Sequence, residues 1–570
     1  MSRTRDGSSA RVAVALLAVA AAGLAARLWS LGWRVAHQDE ARVAHWTLQY
    51  MELGAWEYRA IIHGPFLPHV NGVVFDLLGP SDFTMRLVVA VVGGLLVLSA
   101  WLFRSRLSDV EVVALGAFLA ANPVLLYYSR FMRNDVLLAA FMLTALGCFV
   151  RFVDTRRVRY LYAGALVFAL AFTTKENSLL YPVCWLGALA LVFDGRMVLA
   201  EASDDEDGPG RYETAKQYAG RVLRGAWRHK LDLVLSAFVA AVVVVAFYAP
   251  KPGFYQLFSN PGIAGDVLHT ATVGSYEEFA DLWGSTSTKQ HSYIAFLEHD
   301  LDVLVAGGTT LVAFALLGFL HDRYATEQSR PLVAFCFYWG AFSVFGYPAV
   351  SDIAAGWTAV NALVPLAVPA AAGVGVVVRY GRRGVETGDA TKVRVAVAVL
   401  VVAAAGTGAV AAETSYASPQ SPENPLVQYA QPGGEMQPTI RDVKRVSAAN
   451  DGVDVLYYDD EDDDAGDGLE FHRSGDDDFN VSTGPPAGWH DRLPFPWYLA
   501  HVDANTTSVQ TPSDFPADPP PVVISVASEE DDFASQLDGD YERHAYPRYL
   551  TDLSRTLVVY VDQSALPADA

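Results

Sequence analysis

The chain has 570 residues, 52% of them hydrophobic, a mean hydropathy of +0.22 and a formal net charge of -22. It is too apolar for a soluble enzyme of this length, and too acidic for a nucleic-acid binder, which needs a basic patch. Apolar residues fill roughly the first 410 positions and acids crowd the rest, which predicts a membrane domain over 1–412 and a soluble acidic domain over 413–570.

A spanning helix needs about 20 mostly apolar residues. Eleven candidates follow in chain order: 12–32, 85–103, 111–127, 135–151, 160–174, 178–194, 231–249, 302–320, 331–349, 358–378 and 394–412. The fold class is therefore mainly α, a polytopic membrane protein of about eleven transmembrane helices. Trp29 and Trp33 mark an interface after the first span, and no small-residue cleavage site precedes them. With the N-terminus in the cytoplasm, the inside loops carry Arg104 and Arg106, Arg151 to Arg159, the basic run 211–230, Arg323 and Arg330, and Arg379 to Arg394. Eleven spans then place 413–570 outside the cell membrane.

The acidic tail has a Pro-rich lead over 418–438 and strand-like runs at 453–458, 522–526 and 556–561. A small α/β domain outside the cell is the expected form. The acidic run 459–464 reads as a solvated loop. Asn480-Val481-Ser482 and Asn505-Thr506-Thr507 are glycosylation sequons on the same predicted side. Arginine outnumbers lysine and carboxylates outnumber both, which suits a halophile; a plain acidic tail is the alternative. Cys148, Cys184 and Cys336 all lie in apolar stretches and read as core residues.

The conspicuous polar residues collect in the predicted outside loops. Asp39-Glu40 follows the first span. A carboxylate pair there can act as a base or hold a divalent metal, and Asp39 also suits a helix cap. Arg130 and Arg133, with Asp135 behind them, stand three apart and would share one helix face, suiting a phosphate or a snorkelling ion pair. Lys175-Glu176 occupies a short hairpin, where the lysine can meet a phosphate and the glutamate an arginine, or each other. His63-Gly64-Pro65 reads as a turn whose histidine can donate to a phosphate. His291, Glu298 and His299 have ligand chemistry at a spacing that matches no strong metal motif. In the tail, Trp497 and Tyr498 could stack on a sugar or pack the tail onto the membrane domain.

Together, Asp39-Glu40, Arg130-x-x-Arg133-x-Asp135 and Lys175-Glu176 resemble the GT-C superfamily of polytopic glycosyltransferases, which includes protein O-mannosyltransferases and the bacterial lipid A aminoarabinose transferase. The segments 58–65, 128–135, 173–177 and 494–498 look more closely like a haloarchaeal family tied to flippase activity in dolichol-linked N-glycosylation. The superfamily resemblance implies an inverting transferase that takes a hexose from a dolichyl- or polyprenyl-phosphate carrier to a glycan, lipid or protein acceptor. It makes Asp39 the catalytic carboxylate, with Glu40 assisting it or binding metal, and Arg130, Arg133 and Lys175 phosphate contacts; His63, from its turn, is a further phosphate candidate, and Asp135 and Glu176 are supporting residues. Any metal would draw on Glu40, His291 or His299. The closer likeness implies a factor that helps move a dolichyl-phosphate sugar across the membrane without catalysis. Helix centres nearly free of charge favour the transferase.

Overall fold

The computed structural model describes residues 2–202, 211–283, 291–326, 329–351, 353–459, 471, 479–481, 484–485, 488–537 and 539–567. The first half runs α1 (Ser2–Leu28), α2 (Gln38–Leu53), α3 (Phe66–Leu78), α4 (Asp82–Leu95, continued as a tighter helix to Phe103), α5 (Asp109–Ala121), α6 (Pro123–Tyr128), α7 (Asn134–Thr155), α8 (Val158–Phe172), α9 (Leu180–Ala202), α10 (Arg211–Arg228) and α11 (Lys230–Tyr248). Longer apolar helices follow at Tyr293–Tyr324, Pro331–Val350, Gly356–Thr387 and Ala390–Ala417.

All eleven expected segments are helical, and nine helices among the described residues are long and apolar enough to cross a membrane. The two shorter cases have local causes. The expected span 111–127 is broken into α5 and α6, because Pro123 has no N–H to continue the helix and Asn122 caps the new one, accepting from Leu125 N at 3.1 Å. The expected span 160–174 becomes α8, which is 15 residues long and starts where Arg156 takes a left-handed backbone conformation.

The tail forms the expected small α/β domain around one five-stranded sheet of order β2-β1-β3-β5-β4. Its strands are β1 (Val455–Tyr458), β2 (Thr506–Val509), β3 (Val522–Val526), β4 (Tyr541–Tyr549) and β5 (Asp552–Asp562). β1 lies parallel to β2 and β3, while β5 runs antiparallel to β3 and β4. β2 and β4 escape the sequence reading because neither has a continuous apolar run. Side chains alternate across the sheet. Val455, Tyr457 and Ile524 join the same apolar core as the helix bundle, whereas Leu456, Tyr458 and Val523 pack under Phe515 and Phe533. Of the acidic run 459–464, Asp459 is buried and accepts from Phe471 N at 2.6 Å; the rest lies outside the described residues, as does Ser482 of the first sequon.

Trp497 and Tyr498 are buried where this domain meets the bundle. Trp497 Nε1 donates to Asp82 at 2.9 Å, Tyr498 donates to the same carboxylate at 3.2 Å, and Ala36 N donates to the Tyr498 hydroxyl at 2.8 Å. The aromatic pair thus takes the packing role, and its rings do not face an open site.

Candidate functional site

Helices α1, α4, α7, α9 and α11 all have one end on the side of the bundle that carries the C-terminal domain, and the connections there build the site. The N-terminus of α2 comes first. His37 caps it, accepting from Asp39 N at 3.0 Å, while Glu40 reaches back to His37 N at 3.1 Å. The cap role considered for Asp39 therefore belongs to its neighbours. Burial pushes the His37 imidazole down to about 4, so it is neutral at pH 7.

Two adjacent carboxylates on a helix point about 100° apart, and here they part company. Glu40 is fully buried. Its oxygens accept from Arg86 Nε and Nη2, both at 2.9 Å, from Arg34 at 3.1 Å and from Met132 N at 2.7 Å. It ties α2 to α4 and to the turn before α7, and has no lone pair left for a metal. Asp39 instead lines a cavity with about 150 Å³ of room for solvent. One oxygen accepts from Arg42 at 2.7 Å and the other from Arg133. Burial alone would raise the Asp39 carboxyl, but Arg42, Arg133 and His37 outweigh it and hold it well below the usual carboxylate range.

The remaining walls of the cavity are Arg42, His63, Arg133, Lys175, Trp357 and Tyr429, with Ile61, Leu282 and Ile353 supplying apolar surface. Arg133 stacks over Trp357, its guanidinium carbon 3.6 Å from the ring centre. Lys175 Nζ stands 3.2 Å from Asp135, which also pairs with Arg133 at 3.7 Å. Behind His63, Glu176 accepts from the Tyr58 hydroxyl at 2.6 Å and pairs with His63 Nδ1 at 3.0 Å. The turn at 63–66 is clamped to the 173–174 backbone: Gly64 N donates to Thr174 O at 3.1 Å and Phe66 N to Thr173 O at 2.8 Å. A Cβ on Gly64 would stand 2.4 Å from Thr173 O. Gly64→Ala is therefore expected to destabilise by about 1–3 kcal/mol and to lower the thermal unfolding midpoint of the purified protein. An unchanged midpoint would contradict the clamp.

The structure brings together Asp39, His63, Arg133 and Lys175, with Asp135 and Glu176 in support. It does not bring Arg130 to them. The expectation of a shared helix face fails because α6 stops at Tyr128 and Arg133 is the extended residue before α7, so no helix connects the two arginines. Arg130 turns away to cap α1, donating to the carbonyls of Ala26 at 3.0 Å and Trp29 at 2.6 Å and lying over Tyr416. His291 and His299 do not line the cavity either; His291 Nε2 meets Ser351 O at 2.9 Å. Among the described residues no three His, Cys, Asp or Glu side chains group as a metal site, and Asp39 has both oxygens held by arginines. The donor set at the cavity does not suit a divalent cation. Sequence reasoning missed Arg34, Arg42, Arg86, Trp357 and Tyr429. A charge inside an apolar helix was the available signal for Arg86.

Residues 62–202 match the family described as dolichyl-phosphate-mannose-protein mannosyltransferase, and residues 436–562 match the Agl23 flippase-associated protein C-terminal domain. The first match contains His63, Arg133 and Lys175, and starts after Asp39. Among solved structures, ArnT from Cupriavidus metallidurans bound to undecaprenyl phosphate superposes with a TM-score of 0.55 at 16% identity, over 97% of this chain and 99% of that one. The archaeal oligosaccharyltransferase AglB from Archaeoglobus fulgidus, in complex with an inhibitory peptide and a dolichol-phosphate, superposes with a TM-score of 0.52 at 14% identity, over 98% of this chain and 75% of that one. The chain has the GT-C membrane fold with an Agl23-type C-terminal domain. No match in sequence was found among curated proteins. In this GT-C fold the Asp39 cavity sits between α2, the turn before α7, the 173–176 hairpin and Trp357.

Proposed function

We propose that the chain transfers a hexose from a dolichyl- or polyprenyl-phosphate carrier to a glycan, lipid or protein acceptor at the outer face of the cell membrane. The N-terminus is then cytoplasmic and the C-terminal domain extracellular. One observation carries this reading: Asp39 is held by Arg133 and Arg42 on the wall of a cavity that also presents Lys175 and His63. ArnT and AglB, solved with undecaprenyl phosphate and dolichol-phosphate, support a lipid-phosphate substrate.

The chemistry follows from the pairing. An incoming phosphodiester competes with Asp39 for the two guanidiniums and with Asp135 for Lys175, and charge-assisted contacts to arginine favour the phosphate. As the arginines turn to the phosphate, Asp39 loses the cations that depress its basicity. It then accepts the proton of an acceptor hydroxyl as that oxygen attacks C1 of the sugar. The C1–O bond to phosphate breaks, the bond's electrons leave with the lipid phosphate, and Arg42, Arg133 and Lys175 hold the new charge. Attack opposite the leaving group inverts C1.

The match of 436–562 favours a second reading, a non-catalytic factor for translocating a dolichyl-phosphate sugar. The two part on one assay. Membranes containing the protein are given radiolabelled dolichyl-phosphate hexose at high salt, and free lipid phosphate is followed. Its release supports transfer; no release across several sugars and acceptors supports translocation.

A further inference from the structure

The basic run 211–230 holds six cations and one carboxylate, Glu213, in a chain whose net charge is -22. Charge that only orients a chain in the membrane can sit anywhere in a loop. Here a helix sorts it. Arg221, Arg224 and Arg228 stand three and four apart on α10 and share one face. Tyr212, Leu223 and Trp227 share the other, with Val222 at its edge. Tyr212, Leu223, Trp227 and Val222 are 77, 68, 73 and 69% exposed, so no described residue covers this apolar face.

The contacts of α10 fix where that face lies. Midway along it, Tyr218 packs against Phe193 of α9, with ring centres 6.1 Å apart, and accepts from Arg196. At its end His229 meets the ring of Phe152 on α7, 5.2 Å away, and pairs with Asp232 of α11 at 3.2 Å. α7 and α9 both begin at the Asp39 end, where Lys175 pairs with Asp135. Phe152 is seventeen residues beyond Asp135, and Phe193 and Arg196 are thirteen and sixteen beyond the start of α9, which puts all three about 20–26 Å down the bundle. The hydrocarbon core of a bilayer is about 30 Å thick. Both anchors therefore lie near its far boundary, and α10, about 16 Å from Tyr218 to His229, runs along that boundary.

We propose that α10 lies in the headgroup layer on the side of the membrane away from Asp39 and binds anionic phospholipid. Tyr212, Val222, Leu223 and Trp227 enter the acyl boundary, as the apolar face of an interfacial helix does, while Arg221, Arg224 and Arg228 stay among headgroups and water. Each cation at such a surface gains from its negative potential, which a zwitterionic surface lacks. The bilayer is the occupant because α9 and α11 already hold the helix at its edge, and because an apolar face backed by cations complements an anionic leaflet. The seat does not depend on whether the Asp39 cavity transfers a sugar.

The test uses the full chain in nanodiscs at low salt, made of phosphatidylcholine alone or with phosphatidylglycerol as a third of the lipid. A nitroxide is attached at Leu223→Cys or at Arg224→Cys; the native Cys148, Cys184 and Cys336 are buried, and the unsubstituted chain gives the background. Collision with oxygen, which concentrates among acyl chains, is compared with collision with a water-soluble nickel chelate. In discs with phosphatidylglycerol the Leu223 label should favour oxygen and the Arg224 label nickel. Without phosphatidylglycerol the oxygen-to-nickel ratio at Leu223 should fall by roughly threefold or more. Arg221→Gln together with Arg228→Gln should lower it as far in the anionic discs. The lipid comparison is made on one protein, so a folding defect in the arginine variant cannot decide it. A Leu223 label as open to nickel as the Arg224 label would put the helix in water, and one shielded from both reagents would put a protein, such as a second copy, on this face; either overturns the proposal. So does a ratio at Leu223 indifferent to lipid charge.

Discussion

Asp39→Asn is expected to cut release of lipid phosphate by about 10²–10⁴-fold, the usual weight of a general base, with the amount of protein in the membrane unchanged. The amide keeps the shape of the side chain and one acceptor oxygen for Arg133 or Arg42, so the cavity wall survives. The proton acceptor is lost, together with the charge and the second acceptor oxygen that hold the other arginine. The pH profile supplies a second check. With Asp39 held below the usual range in the free protein, kcat/KM should show no acid limb from it above about pH 4. Once the arginines turn to the bound phosphate, the limb in kcat should move upward from that position. Wild-type release by Asp39→Asn would remove the base from this residue while leaving transfer itself standing.

Glu40→Gln is expected to act on folding. Glu40 is fully buried between two arginines, and removing one member of such a group leaves guanidiniums uncompensated, at a cost of about 3–5 kcal/mol. The measurement is the unfolding midpoint of the purified protein. Replacing Glu40 and Arg86 together with methionine should recover part of the loss, because an apolar pair needs no solvation. The linkage has a definite sign. Burial would raise the Glu40 carboxyl, but Arg86 and Arg34 outweigh it and hold it well below its ordinary value. Its contribution is therefore present above about pH 4.3 and lost as pH falls further towards the folded value. A Glu40→Gln variant as stable as wild type yet inactive would move Glu40 into the chemistry.

Hydropathy found every long apolar helix among the described residues because the membrane sets a minimum length for each of them. It found less of the site, for reasons visible in particular residues. Asp39 and Glu40 are alike as letters, and the turn of α2 alone decides that one faces the cavity while the other enters the bundle. Arg130 and Arg133 share a spacing that means one face only on a continuous helix, and Pro123 with the extended Arg133 removes that helix. Lys175 and His63 were legible as loop residues, since a short hairpin and a His-Gly-Pro turn advertise themselves. Trp357 and Tyr429 carried no local signal at all. They reach Arg133 and the cavity across more than two hundred residues of chain, which only the packed bundle brings near.

The seating of the C-terminal domain has a thermodynamic consequence. Tyr498 receives the N–H of Ala36, and Tyr549 donates to Gln38 Oε1 at 3.0 Å, so the domain grips both neighbours of the residue that caps α2. Asp39 is the next residue along. If an acceptor held by the domain re-seats it, the grip shifts the pairing of Asp39 with its arginines. By reciprocity, a carrier phosphate that draws those arginines away must change the domain's affinity for its own ligand by the same factor. Donor and acceptor would then report each other's presence through three consecutive residues of backbone, before any bond is made.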